Sequence, residues 1–305
     1  MKRILVTSHC QTGGVAAALK DLFPKYTIEA SPLPALTDEI EEGFVKKVKS
    51  FDCWVSSGLF HLPKKYNIWQ TNPNFQLVKV PHVTFPAFHP DLCYVKRIST
   101  GEWINPHYNS AIALWCFMHR IVIKDAATAF CASVYNDLGY FDLWKPSELR
   151  LRQAFIEHDL EQEFNKFFLT IKRNGCFMHS INHPKICVLI ELAKIVAMKI
   201  GPLRTISEHN IMVADSLTDI IWPVYPEIAD YYAINSNGYV FKWFGGANAV
   251  IQSDITEYLE FVYEGYASQK ADPADMGRVL GLGGSISVDN ATYDRVLNHQ
   301  FGVKN

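Results

Sequence analysis

The chain has 305 residues, 49% of them hydrophobic and 20% charged, with a formal net charge of −2. Such a chain builds one large α/β domain or two smaller ones, and its near-neutral charge excludes a nucleic-acid footprint at the level of the whole molecule. Its seven cysteines (Cys10, Cys53, Cys93, Cys116, Cys131, Cys176 and Cys187) are scattered, odd in number and free of any Cys-x-x-Cys pair, which argues against a disulfide framework and structural zinc and fits a reducing cytoplasm.

Residues 1–6, Met-Lys-Arg-Ile-Leu-Val, carry two basic residues but too short an apolar run for a secretory leader. Residues 4–7 read as a strand, 15–23 as a helix stopped near Pro24, and 26–30 as a second strand. Thr37 is placed to cap a helix running to Lys49, with Asp38, Glu39, Glu41 and Glu42 in its first turns, where negative charge is favoured. Lys46, Lys47 and Lys49 then form a solvated face. Residues 51–56 read as a third strand, ended by Ser57-Gly58. Residues 77–85 read as a fourth, which Pro81 pushes to an edge or splits. This β-α-β-α-β order predicts a parallel open sheet flanked by helices.

From about residue 107 the pattern turns helical: 110–124, an Ala-rich 125–136, a long amphipathic stretch to 173 opened by Pro146 and Ser147, and a helix begun by Pro184 and ended by Gly201-Pro202. The most apolar stretches, 110–123 and 186–200, are broken by His119 and Arg120 and by Glu191 and Lys194, so no bilayer span is expected. Residues 206–263 are mixed, with a short strand at 239–243. Residues 264–305, with Gly281-Leu282-Gly283-Gly284, read as a loosely ordered or partner-packed tail. The expected fold is α/β: a sheet part, residues 1–106, carrying Cys10 and His89, then a largely α-helical part, residues 107–305, carrying His183 and packed on it around one shared core.

Residues 4–14, Ile-Leu-Val-Thr-Ser-His-Cys-Gln-Thr-Gly-Gly, run an apolar strand into a polar loop and then a helix. Such a turn holds side chains at the C-terminal edge of the sheet, where open α/β folds place ligands. It also puts Cys10 near a helix N-terminus, whose partial positive charge favours thiolate. A thiolate there is a nucleophile, the loop N–H groups offer an oxyanion hole, Gln11 can add a donor, and Gly13 and Gly14 let a ligand or phosphate approach the backbone. The alternative is a turn that happens to contain a cysteine.

In residues 85–91, His89 and Asp91 can form a base and its orienter at the same sheet edge if the fourth strand is parallel. The alternative is a histidine capping a loop between two prolines. In residues 177–184, Asn182 or His183 lies near the cap of the next helix, and His183 is a candidate base or ligand contact. His179 and His183 have the i, i+4 spacing of a zinc pair. Pro184 disfavours helical geometry at His183, and no glutamate completes His-Glu-x-x-His, so no metal site is expected. Trp222-Pro223-Val224-Tyr225-Pro226 reads as a core corner or a rigid wall. The remaining histidines, His61, His82, His107, His119, His158, His209 and His299, show no defensible pairing.

Several of these blocks occur in one order: Cys10-Gln11 after a first strand, Phe88-His89-Pro90-Asp91-Leu92, Tyr108-Asn109-Ser110, Leu138-Gly139-Tyr140-Phe141-Asp142, Phe177-Met178 with Ile181-Asn182-His183-Pro184, and the Trp222–Pro226 block. Over residues 1 to about 265 the chain resembles the WcbI-type capsular polysaccharide biosynthesis proteins, proposed acetyltransferases that bind coenzyme A. Ser8-His9 stands where members of that family usually have Gly-Asn or Ser-Asn. The first block is also similar to the nucleophile block of SGNH-type hydrolases, with cysteine in place of serine.

The resemblance implies a cytoplasmic O-acetyltransferase of surface-polysaccharide synthesis, with acetyl-CoA as donor and a sugar hydroxyl as acceptor. Cys10, His89 and His183 become its catalytic candidates. Ser8, His9, Gln11, Gly13, Gly14, Asp91, Ser110 and Asn182 become ligand contacts, and Lys96, Arg97 and Arg120 candidate partners for the CoA phosphates. Two other readings stay open: a thiol esterase or deacylase that needs no CoA, and a non-catalytic CoA-binding partner of a glycan assembly. A homo-oligomer is compatible with each.

Overall fold

The computed structural model describes residues 2–104, 108–201, 211–244, 249–279 and 288–303. The chain forms two compact units. One comprises Met1–Val83, Leu151–Phe177 and His183–Leu217, the other Thr84–Arg150, Met178–Asn182 and Thr218–Asn305, so the chain passes from one to the other five times.

The first unit carries the expected parallel sheet, in strand order β2-β1-β3-β4. Its strands are β1 (Arg3–Ser8), β2 (Thr27–Pro32), β3 (Cys53–Ser56) and β4 (Gln76–Lys79), each paired in parallel with its neighbour. Ile4, Leu5, Val6, Trp54 and Val55 are fully buried, as continuous apolar strands of a parallel sheet covered on both faces must be. Two helices follow the first two strands: α1 (Thr12–Leu22) and α2 (Asp38–Lys49). Thr37 caps α2, its hydroxyl accepting the Ile40 N–H. Phe44, Val45 and Val48 of α2 bury against Trp54, Leu62, Ile68 and Phe75.

α1 packs on the helix Ile186–Ile200. β4 ends at Lys79, six residues short of the expected strand, because Pro81 has no N–H to give the ladder. The expected stretch 146–173 is two helices, Trp144–Glu157 and Glu161–Lys172, separated at Asp159, whose φ of 61° breaks the helical path.

The second unit holds a three-stranded antiparallel sheet, β6-β5-β9, formed by β5 (Leu92–Arg97), β6 (Asn109–Ser110) and β9 (Met276–Val279). A two-stranded pair, β7 (Phe241–Trp243) and β8 (Val250–Gln252), lies beside Trp222, Tyr225 and Tyr258 in an aromatic core. The Trp222 block is thus a core corner. The tail is not loose in its described residues. β9 pairs with β5, and the helix Asn290–Phe301 is capped by Asp289 and buries Tyr293, Val296 and Leu297. The glycine run 281–284 and Pro202 lie outside the described residues. Among the described residues, no helix is long and apolar enough to cross a membrane.

Candidate functional site

In strand order 2-1-3-4 the connections reverse direction between β1 and β3, and open α/β sheets bind ligands at that switch point, beyond the strand C-termini. The β1–α1 turn emerges there. Thr12 fastens the turn: its hydroxyl accepts the Ser8 N–H at 2.9 Å and donates to the His9 carbonyl at 2.7 Å. Ser8 is buried, whereas His9 and Cys10 are exposed. A shallow cavity of about 180 Å³ opens beside it, lined by His9, Thr12, Ala30, Ser31 and Pro32.

The thiolate expected at Cys10 is not its resting form. Although the residue reaches solvent, the protein around the sulfur pushes its pKa up to about 11, and the N–H groups of Cys10 and Gln11 pull it back only in part. A helix N-terminus lowers a thiol pKa only where it outweighs lost hydration.

Gln11 is buried, and its amide is committed to the backbone. Nε2 donates to the Val83 carbonyl at 2.7 Å, and Oε1 accepts the Val83 N–H at 3.0 Å. This side chain bonds the segment after β4 just past the point where Pro81 ends the strand. Gly14 likewise serves packing: a Cβ there would lie 2.4 Å from Leu189 Cδ1 on the Ile186–Ile200 helix. Gly13 is open, its nearest neighbour being Ser216 Oγ at 3.9 Å from such a Cβ.

The histidine that the structure brings to this turn is His82, for which the sequence offered no pairing. Its ring packs edge-on against His9 at 5.5 Å between centroids, and its Nε2 lies 3.4 Å from Gln11 Nε2. Burial, then the neighbouring His9 and His183, lower its pKa from 6.5 to about 4, so His82 is neutral at physiological pH. His183, which is half-buried, is near enough to His82 to act on its charge. The signal for His82 was present: it is the third residue after the fourth strand, and reading that strand through to residue 85 concealed it.

The other predicted residues lie in the second unit. His89 is 2% exposed, follows the short 3-10 turn Pro86–Phe88, and packs by Phe88. Asp91 is fully buried and holds structure together: Oδ1 accepts from the Ile112 N–H at 3.0 Å and the Tyr140 hydroxyl at 2.9 Å, and Oδ2 accepts from Tyr225 at 2.7 Å. Ser110 caps the helix Ala111–Met118 by accepting the Ala113 N–H. Asn182 accepts from Tyr108 at 2.7 Å and donates to Tyr94 at 3.3 Å. Arg97 donates to the carbonyls of Gln269 and Lys270, just past the helix Ile255–Ser268, and Lys96 sits over the Trp103 ring at 4.0 Å. Arg120 is exposed, with φ of 57°. Among the described residues, no group of three His, Cys, Asp or Glu is arranged to hold a metal.

A family model described as "Polysaccharide biosynthesis enzyme WcbI" matches residues 3–204. The chain belongs to the WcbI family. It is thus a member of a family of polysaccharide biosynthesis enzymes, and the matched span includes Cys10, Gln11, His82 and His183. A solved structure described as "Structural insights into WcbI, a novel polysaccharide biosynthesis enzyme" shares the WcbI fold with this chain. The TM-score is 0.67 at 12% identity, over 98% of this chain and 99% of that one. That structure is of the native protein, without a disulfide bond between coenzyme A and one of its cysteines. No curated protein matches the chain.

Proposed function

We propose that this WcbI-family enzyme is a CoA-dependent O-acetyltransferase, with the β1–α1 turn as its thioester pocket and a sugar hydroxyl of a surface polysaccharide precursor as acceptor. The observation that carries this reading is the exposed Cys10 thiol at the switch point of the sheet, in the turn whose His9 ring packs against neutral His82, which His183 in turn influences. The solved WcbI structure adds support, since its description links coenzyme A with a cysteine of that protein.

A thiol whose pKa is about 11 is a weak nucleophile at neutral pH, so Cys10 contacts the thioester and transfer is direct. The sugar hydroxyl oxygen adds to the acetyl carbonyl carbon and its proton passes to the His183 imidazole. The carbon–sulfur bond then breaks, and CoA leaves as the thiol, taking that proton. Titration calorimetry is expected to show CoA binding, and its absence at millimolar ligand sinks the reading. Intact mass after incubation with acetyl-CoA is expected to show unmodified protein. An acetyl group on the wild type that is missing from Cys10→Ala would replace direct transfer by a covalent intermediate. His183→Ala is expected to lower kcat by about 100- to 10,000-fold.

A further inference from the structure

The orientation of one side-chain amide fixes more chemistry than its own bonds. Asn and Gln amides are ordinarily ambiguous between oxygen and nitrogen. Gln11 is not, because it faces a backbone donor and a backbone acceptor of the same residue. Its oxygen must meet the Val83 N–H and its nitrogen the Val83 carbonyl. The nitrogen so defined lies 3.4 Å from His82 Nε2. An amide nitrogen has hydrogens to give and no lone pair to accept with. The His82 nitrogen facing it is therefore the acceptor, and a neutral imidazole that accepts at Nε2 carries its proton on Nδ1.

His82 Nδ1 is shielded from solvent and has no hydrogen-bond partner among the described residues. A buried N–H with no acceptor is costly and uncommon, and it asks for a group to fill it. We propose that Gln11 holds His82 as the Nδ1–H tautomer, and that this N–H donates to the carbonyl oxygen of the bound acyl thioester. His82 is thus a catalytic hydrogen-bond donor for the developing oxyanion. Gln11 is the positioning residue that acts through it. The acceptor's identity rests on the acyl-transfer reading above; the tautomer does not. The lowered pKa of His82 keeps the ring neutral over the working range, as this role requires. Nδ1 is shielded in the free protein, so its contact with a ligand requires the group that covers it to move.

Two measurements test this. Long-range proton–nitrogen correlation spectra of uniformly labelled full-length protein read the His82 tautomer directly. Nδ1–H is expected in the wild type. In Gln11→Glu, which has no N–H to offer, the proton is expected on Nε2. Nε2–H in the folded wild type overturns the proposal whether or not the variant folds. Calorimetry then compares CoA with acetyl-CoA, of which only the second has the carbonyl. His82→Ala is expected to weaken acetyl-CoA by roughly 5- to 10-fold and to leave CoA unchanged. Equal loss for both ligands overturns the carbonyl contact. If neither ligand binds the wild type, the acyl-transfer reading falls and takes the assigned acceptor with it. Nε2–H alongside intact CoA binding instead overturns the His82 role alone.

Discussion

Cys10 joins two properties that seldom coincide, an exposed position and a raised pKa. The sign of the shift gives a direct test. A thiol raised from 9.0 to about 11 stays protonated across the neutral range, so the reactive thiolate appears only as pH climbs towards the upper value. Alkylation of Cys10 by iodoacetamide, followed by peptide mass spectrometry, is expected to accelerate through pH 9 and 10 with a midpoint near 11. At pH 8 it should run about a hundredfold slower than for the same thiol in urea, from the two-unit difference at tenfold per unit. A midpoint below 9 in the folded protein would contradict the packing described around the sulfur. The residue pattern singles out this turn and points to a thiolate at Cys10, whereas burial of the sulfur favours the thiol. A helix N-terminus can be seen in a residue pattern, whereas the water excluded from a sulfur cannot.

At the scale of elements, the two adjacent glycines of α1 separate helix propensity from packing. Alanine is the better helix former by about 1 kcal/mol. At Gly13 the added methyl meets nothing closer than 3.9 Å, so Gly13→Ala is expected to be neutral or to stabilise by up to about 1 kcal/mol. At Gly14 the methyl would press on Leu189 at 2.4 Å, and Gly14→Ala is expected to destabilise by about 1–3 kcal/mol as the Ile186–Ile200 helix shifts. Urea denaturation of the two variants reads the difference, and equal midpoints would refute it. Nothing in the local pattern ranks these two glycines, because Leu189 lies far along the chain. By contrast β1, α1, β2, α2 and β3 were legible to within a few residues, down to the Thr37 cap, since each depends on local periodicity and capping. β4 is shorter than its apolar run suggests, because Pro81 leaves it ended at Lys79.

Across the whole molecule, what the sequence concealed is pairing between distant segments. β5 lies against β9, about 180 residues later, and reading either alone shows only a few mixed residues. Asp91 has the same character. Two residues after His89 and next to Pro90 it looks like an orienter for that histidine, yet it bonds Ile112, Tyr140 and Tyr225. Removing a buried carboxylate leaves those donors without an acceptor, so Asp91→Ala is expected to cost about 3–5 kcal/mol, against about 1 kcal/mol for Tyr225→Phe, by chemical denaturation. Burial raises the Asp91 pKa. Its contribution to stability is therefore present in acid and fades as pH rises through the folded value.

The division of the first unit into three chain segments has a consequence for synthesis. β1 to β4 and α1 leave the ribosome well before the Ile186–Ile200 helix that covers α1, because all of Thr84–Arg150 must be translated in between. At roughly 5–20 residues per second, the apolar face of α1 waits on the order of ten seconds for its cover. A nascent chain with such a delay is a natural client for a chaperone that shields sticky surfaces, and slowing translation over residues 84–150 would lengthen its exposure.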